Sequence, residues 1–200
     1  MVLNDKSGNT VMRIWLLMHQ ANDLLSQCEE EAYRKYGLTP EQWRVLARLK
    51  FYDRPLGPGE LAETMCRSSN SLSMLVDRMV KAGLVKRTRD KKDRRMVNVT
   101  LTSKGESAVT PATPEGWKLI QEILSPLSSE DREALANMLE TVKCEAFAYL
   151  HPEMDKSEVY RTSGTNDPNL HRQNLKNLYA PALGPDIETG RRGRPCPDLG

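Results

Sequence analysis

The spacing of apolar residues changes once along this chain, and the change limits the folds that the chain can adopt. Between residues 11 and 150 the apolar residues mostly recur every three or four positions, which is the spacing of an amphipathic helix. From 84 to 101 they alternate with polar residues instead, ending in Val97, Val99 and Leu101, which is typical of a half-buried strand. The sequence therefore predicts a mainly α fold with one small antiparallel β hairpin.

Capping residues divide the first half of the helical pattern into segments. A long first helix, 11–36, stops near Gly37, because glycine suits the left-handed end of a helix. Residues 39–42, Thr-Pro-Glu-Gln, form a capping box that starts a second helix. A third, short helix opens at 57–60, and hydroxyl caps within 66–69 start a fourth. In the fourth helix, the residues expected to face the core are Leu72, Leu75, Val76, Met79 and Val80.

The third and fourth helices, at about 58–82, have the spacing of a helix-turn-helix. Two short helices joined by a tight turn place the second one where it can enter a groove of DNA. Its outer face is small, polar and cationic, and comprises Asn70, Ser71, Ser73, Met74, Asp77, Arg78 and Lys81. We interpret Asp77 as structural and leave open whether Arg78 contacts DNA or an acidic side chain of the protein.

Two further helices are expected after the hairpin at about 84–101. Thr102 can cap the first of them, but Pro111 and Pro114 lack the backbone N–H that a continuous helix needs. We therefore expect an interruption there and a restart at 113–115. The last helix, 128–150, carries an apolar stripe of Leu135, Met138, Leu139, Val142 and Ala146. Residues 151–200 lose this periodicity, which favours a largely disordered C-terminal extension.

The strongest concentration of charge coincides with the loop of the hairpin. Seven of the ten residues from 86 to 95 are Lys or Arg and two are Asp, so the stretch carries +5 in a chain whose net charge is +2. A cationic loop of this kind suits a polyanion such as nucleic acid. The alternative is an exposed, solvated hairpin with no partner, which is the usual meaning of a charge run taken alone.

Composition argues against several other classes of protein. The apolar run 14–18 is too short for a signal peptide or a membrane span, so we expect a cytoplasmic protein. The cysteines, Cys28, Cys66, Cys144 and Cys196, show no metal-ligand spacing, so we expect free thiols, no metal and no cofactor. We also do not expect an enzyme, because no pairing of a nucleophile with a base and no glycine-rich phosphate loop is recognisable.

One segment resembles a known family closely. Residues 93–105, DRRMVNVTLTSKG, fit at every fixed position the wing pattern D-x-R followed by V-x-L-T-x-x-G of the MarR family of winged helix-turn-helix transcriptional regulators. Shorter matches are Leu61-Ala62 in the third helix and, in the fourth, Asp77-Arg78 followed by 81–85, KAGLV. The resemblance covers about 10–150 and leaves the C-terminal extension outside.

The resemblance implies how the chain assembles and where it contacts DNA. It implies a homodimer held together by the helices 11–36 and 128–150, with the fourth helix in the major groove of double-stranded operator DNA. It also implies that Arg95 reaches the minor groove, with Asp93 limiting its rotamers. The candidate DNA contacts are Arg67, Ser68, Ser69, Asn70, Ser71, Ser73, Met74, Arg78, Lys91, Lys92, Arg94 and Arg95. Among the cations, Arg67, Lys81, Lys86, Lys91 and Lys92 are expected on phosphates, where they position the protein without reading sequence.

The same resemblance implies a repressor that leaves a pseudo-palindromic operator when a small molecule binds. Half-sites about one helical turn apart follow from two-fold symmetry. In family members the effector is often an aromatic acid held between the dimer helices and the DNA-binding lobe. Candidates for such a pocket are Trp15, His19, Trp43 and Trp117, and ordinary core aromatics are the alternative. The alternative function, from another class, is a winged-helix interaction module whose basic wing docks on an acidic protein.

One residue departs from the family pattern. Many members carry Arg where this chain has Met74, directly after Ser73. Without that guanidinium, bidentate recognition of guanine is not available at this position. Asn70 can still read adenine and Met74 can lie against a thymine methyl, so we expect an A/T-rich operator core.

Two other features suggest a specific function, but neighbouring residues disfavour it in each case. Cys28 lies on the apolar stripe of the first helix, and some family members sense oxidants through a cysteine there, but the acidic residues at 29–31 disfavour a reactive thiolate. Residues 192–195, Arg-Gly-Arg-Pro, resemble the core of an AT-hook, although Pro197 and Asp198 follow where basic residues would help.

Overall fold

The computed structural model describes residues 6–89 and 97–155. Its helices are α1 (Lys6–Arg34), α2 (Pro40–Tyr52), α3 (Pro58–Thr64), α4 (Ser69–Lys81), α5 (Ser103–Leu124) and α6 (Ser129–Leu150), and its strands are β1 (Val85–Arg89) and β2 (Val97–Leu101). The strands pair antiparallel, with Val85 opposite Leu101 and Arg89 opposite Val97. The expected mainly α fold with a small antiparallel β wing is confirmed.

Helix α2 lies at the centre of the hydrophobic core and contacts α1, α3, α4, α5 and β2. Its capping box is confirmed, since the backbone N–H of Gln42 donates to Thr39 Oγ1 (3.3 Å) and that of Thr39 donates to Gln42 Oε1 (3.0 Å). Trp43 stacks on Tyr33 of α1, with 4.7 Å between the ring centroids. The buried residues of α2 are Pro40, Trp43, Val45, Leu46, Ala47, Leu49 and Phe51. This helix therefore joins the N-terminal helix to the helix-turn-helix.

A third short stretch of extended backbone lies beside the hairpin. The N–H of Leu56 donates to the carbonyl of Val99 (3.2 Å), and the N–H of Val99 donates to the carbonyl of Leu56 (2.8 Å). Both side chains are fully buried. This bridge, which we did not predict, fixes β2 to the loop between α2 and α3.

Helix α5 is continuous, so the interruption predicted at Pro111 and Pro114 is wrong. Each proline leaves the carbonyl four residues earlier without its helical donor, here those of Ser107 and Thr110. Both of these residues are exposed, so water can hydrogen-bond to their carbonyls. The other side of the helix is held by tertiary packing, with Gly105, Val109, Ala112, Thr113 and Gly116 buried.

Two smaller expectations also need correction. The first helix begins at Lys6, five residues before the predicted start at Val11. Val80 was expected to face the core but is 37% exposed, because it lies at the edge of the buried face of α4.

Two long helices carry apolar side chains that the rest of the protomer leaves exposed. On α1 these are Val11, Met12, Ile14, Trp15, Leu16, Leu17, Leu24 and Leu25, and on α6 they are Leu135, Met138, Leu139, Val142, Tyr149 and Leu150. The opposite side of α6 is packed near its end, where Cys144 is buried. None of the described helices combines the length and the apolar character needed to cross a membrane. The exposed stripes are thus unusual for a protomer that acts alone.

Candidate nucleic-acid interface

Backbone geometry at the turn between α3 and α4 sets the start of the candidate reading helix. Cys66 has a positive φ of 50°, which turns the chain sharply after α3. The N–H of Arg67 then donates to the carbonyl of Ala62 (3.0 Å). Ser68 is the N-cap of α4, since its Oγ accepts from the N–H of Ser71 (3.3 Å). The turn is therefore as tight as a helix-turn-helix requires.

Helix α4 has one buried face and one open face. Leu72, Leu75, Val76 and Met79 are buried. Asn70, Met74, Asp77 and Lys81 lie opposite them, at intervals of three and four residues, and all four are exposed. Arg78 is also exposed and borders this stripe. The helix therefore presents hydrogen-bonding, apolar and cationic groups to a partner in a single row.

The end of α4 is tied to the wing and to α5 by polar contacts. Arg87 of β1 donates to Asp77 (2.5 Å between Nη1 and Oδ1). The ammonium group of Lys104 donates to the carbonyl of Ala82 (2.8 Å). The hydroxyl of Thr102 lies 2.6 Å from the carbonyl oxygen of Gly83 and accepts from the N–H of Gly105 (3.0 Å). These contacts fix the angle between α4 and the wing.

The loop before α3 is held by a separate ion pair. Arg54 donates from Nη1 to Glu60 Oε2 (3.0 Å) and forms a second hydrogen bond to Oε1. These hydrogen bonds hold the pKa of the Glu60 carboxyl below its ordinary value. The pair lies at the start of α3 and closes the segment that contains Leu56. The base of the hairpin and the start of the helix-turn-helix are therefore linked.

Cationic side chains surround the open face of α4. Besides the ion-paired Arg87, the exposed ones among the described residues are Arg67, Arg78, Lys81, Lys86 and Arg89. Arg67 contacts Glu41 of α2 at 3.5 Å, which partly neutralises it. A cleft of about 360 Å³ lies between the start of α2 and α4, with Arg67 and Arg78 among its lining residues. Arg78 has no ion pair within 6–89 and 97–155, so the described part of the chain favours its availability to DNA.

The structure separates the twelve candidate DNA contacts into groups. Ser68 and Ser71 are engaged in the N-cap, with 3.0 Å between their hydroxyl oxygens. Ser69, Asn70 and Met74 are exposed, and Ser73 is half-buried. Four candidates, Lys91, Lys92, Arg94 and Arg95, lie outside the described residues, as do the supporting Asp93 and the AT-hook-like segment 192–195. Their roles stay predictions.

Arg87 was not among the predicted site residues. It lies within the basic run, where every cation has the same apparent role, and its partner Asp77 is ten residues earlier, across the end of α4. An acidic residue on an otherwise polar and cationic helix face is the only signal in the sequence for such a pair.

The four candidate pocket residues form two pairs. Trp43 is buried against Tyr33 and Trp117 packs against the same core, whereas Trp15 contacts His19 edge to face on the exposed part of α1. The Nε1 of Trp43 is buried and finds no acceptor among the described residues. Along α1, Trp15 lies roughly 27 Å from Tyr33, at about 1.5 Å per residue. The two pairs can therefore line one pocket only if a second protomer brings them together.

Cys28 is exposed on α1, as is Cys66 in the turn before α4, whereas Cys144 is buried. Next to Cys28, Glu29 forms an ion pair with Arg44 of α2. The residue next to this thiol thus forms a contact between α1 and α2. Whether the thiol of Cys28 responds to oxidants stays a prediction.

Known proteins share this arrangement. Residues 38–97 match the model of the MarR family. The transcriptional regulator PecS from Dickeya dadantii is 28% identical over 136 residues, which cover 67% of this chain and 78% of PecS. The transcriptional repressor MdtR from Bacillus subtilis is 32% identical over 101 residues, 50% of this chain and 64% of MdtR. A cysteine-to-serine mutant of MarR from E. coli, crystallised with operator DNA, superimposes with a TM-score of 0.62 at 25% identity, covering 67% of this chain and 96% of that one.

Proposed function

Because residues 38–97 belong to the MarR family of DNA-binding transcriptional regulators, we propose that this chain acts as a homodimeric repressor of transcription that a small aromatic acid releases from a pseudo-palindromic operator. The observation that carries the proposal is the open row on α4, which lies beside a β wing fixed to the same helix. In a helix-turn-helix the second helix contacts base edges in the major groove, mainly through its N-terminal residues. The row begins at Asn70, at the N-terminal end of α4.

Phosphate contacts are assigned to the cations around this row. Arg78, Lys81 and Lys86 are exposed, and the predicted wing cations Lys91 and Lys92 extend the same sequence segment. Each phosphate that a Lys or Arg neutralises releases counterions, so affinity falls steeply as salt rises. Several such contacts in each protomer give a strong salt dependence for the dimer.

The dimer is supported by the exposed apolar stripes of α1 and α6. Eight large apolar side chains of α1 and six of α6 are exposed in the protomer. A two-fold interface would bury these stripes against their copies, which is favourable in proportion to the apolar area removed from water. The two reading helices would then face successive half-sites of one operator.

Repression and effector release rest on different observations. Repression is supported by the similarity to MdtR, which is named a repressor. Effector binding is supported by the buried Nε1 of Trp43, a donor that finds no acceptor in the described residues and that a carboxylate could accept from. In the dimer, Trp15 and His19 of one protomer would close the pocket beside Trp43 and Trp117 of the other.

DNA binding is tested by fluorescence anisotropy with a duplex from the upstream region of the chain's own gene and with a random duplex of equal length. We expect preferential binding of the upstream duplex and a steep loss of affinity between 50 and 200 mM salt. Lys81→Ala should weaken binding to both duplexes and reduce the salt slope by about two, one for each protomer of the dimer. Lys118→Ala removes the same charge from an exposed position on α5 and serves as the control. Equal affinity for both duplexes, or retention of an acidic protein instead of DNA, would contradict the proposal.

Effector release is tested by titrating benzoate, the simplest aromatic acid, into the protein–DNA complex. We expect the anisotropy to fall to the value of free DNA, and Trp43→Phe, which removes the indole N–H but keeps an aromatic ring at this position, to require a higher benzoate concentration. A complex that is unchanged at millimolar benzoate would count against an aromatic-acid effector while leaving DNA binding intact.

A further inference from the structure

The open face of α4 contains one large apolar side chain. Met74 is 68% exposed, whereas Leu72, Leu75, Val76 and Met79 are buried. A methionine in water contributes no burial of apolar surface to the fold. Its side chain is therefore free to be covered by whatever α4 contacts.

Asn70 lies one helical turn before Met74 on the same face. It is exposed, and within 6–89 and 97–155 its amide makes no hydrogen bond. The other polar groups nearby are committed to the protein: Ser68 and Ser71 to the N-cap and Asp77 to Arg87. Asn70 and Met74 are thus the two adjacent side chains in this row with no structural task of their own.

We propose that Asn70 and Met74 together read A·T base pairs in the major groove, Asn70 by hydrogen bonds with adenine and Met74 by packing on the C5-methyl group of a thymine. The proposal deepens the proposed function and rests on it, because α4 must first enter the major groove. Adenine offers the N7 acceptor and the N6 donor to a carboxamide, and thymine alone offers a methyl group. The carboxamide of Asn70 can bind the adenine groups, and the apolar side chain of Met74 can pack on the thymine methyl group.

The spacing of the two residues fits neighbouring base pairs. Four residues of helix rise about 6 Å, and successive bases on one strand are about 3.4 Å apart. The adenine and the thymine therefore lie one or two base steps apart within the half-site. Cytosine in place of the thymine would present no methyl group and an N4 donor, for which the thioether of Met74 is only a weak acceptor.

The test begins with duplexes that the full chain selects from a randomised library. Each half-site thymine of the selected duplex is replaced in turn by deoxyuridine, which removes only the methyl group. For the wild-type chain we expect one position at which the loss of the methyl weakens binding about fourfold, the effect of burying one such group. Met74→Ala should bind the unmodified duplex more weakly and be indifferent to deoxyuridine at that position. Val80→Ala, which shortens an exposed apolar side chain of α4 outside the candidate contacts, should keep the full deoxyuridine effect.

Adenine reading is tested in the same way with 7-deazaadenine, which replaces the N7 acceptor by a C–H group. The wild-type chain should lose affinity at one adenine, about one or two steps from the sensitive thymine, and Asn70→Ala should not distinguish the two bases there. The proposal is overturned if wild type ignores deoxyuridine at every half-site thymine, or if Met74→Ala keeps the wild-type response. If the library yields no specific duplex at all, the regulator function itself fails; if it yields a duplex without these two responses, only the A·T reading fails.

Discussion

Gly105 shows how a single residue sets the junction between the wing and α5. A Cβ built on this glycine would lie 2.0 Å from the backbone oxygen of Leu84 and 3.3 Å from a methyl carbon of Leu46. The first of these is far inside van der Waals contact, and a backbone carbonyl cannot rotate away as a side chain can. The same Leu84 carbonyl accepts from the N–H of Thr102 (3.2 Å). This contact gives a physical reason for the glycine that ends the V-x-L-T-x-x-G pattern.

Gly105→Ala should therefore destabilise the fold strongly. Overpacking in a closely packed region costs about 1–3 kcal/mol, and the rigid neighbour favours the upper end of that range. Urea unfolding followed by circular dichroism measures the change. Gly59→Ala is the matched control, because a Cβ at Gly59 of α3 meets nothing within 4 Å. Equal unfolding midpoints for the two variants would contradict the contact.

At the scale of elements, the ion pair of Asp77 with Arg87 connects α4 to β1. The two side chains are 53% and 38% exposed, so the pair adds little to stability, at most about 1 kcal/mol. Its larger effect is geometric, since it sets the direction in which the wing leaves the reading helix. Wing and helix can contact adjacent grooves only if that direction is maintained.

Asp77→Ala should lower the specificity of DNA binding more than its strength. Loss of the carboxylate removes repulsion from phosphates and frees Arg87, so affinity for random DNA should rise, while a misdirected wing weakens operator binding. We expect the ratio of the two affinities to fall about fivefold, with the unfolding midpoint nearly unchanged. Anisotropy with both duplexes measures the ratio. Glu31→Ala, which breaks the exposed pair with Arg34 on α1, should leave it unaltered, and an unaltered ratio in Asp77→Ala would rule out the positioning role.

For the whole molecule, the question is what covers the apolar stripes of α1 and α6. Leu139 is 49% exposed in the middle of the α6 stripe. A helix face of this composition is costly to leave in water and is typical of an interface. A second copy of the chain would cover both stripes at once, as the proposed function requires.

Leu139→Glu should convert the dimer to monomer without unfolding it. The side chain is half exposed in the protomer, but in the dimer the new carboxylate would be buried without a partner, which costs several kcal/mol. The dimer dissociation constant should rise at least about 100-fold, as measured by analytical ultracentrifugation. Asn137→Glu places the same charge on the opposite, exposed face of α6 and should remain dimeric. Equal association of the two variants would exclude this face from the interface.

The sequence by itself determined the elements whose signals are local. The capping box at 39–42, the serine cap of α4 and the alternation in β2 each depend on residues a few positions apart, so the order of helices and the wing could be predicted. The wing pattern that ends at Gly105 also indicated the MarR family, whose model residues 38–97 match.

Only the tertiary structure decided the features that join distant residues. Packing of Val109, Ala112 and Gly116 keeps α5 continuous through its two prolines, although their local preference is to break a helix. Pairing of Leu56 with Val99, and of Asp77 with Arg87, depends on how the elements fold against one another. The same packing buries Trp43 and leaves Trp15 exposed, which divides the predicted pocket between two places. Periodicity and capping depend on residues that are close together in the sequence. The burial of a side chain and the pairing of distant residues depend on contacts that exist only after folding.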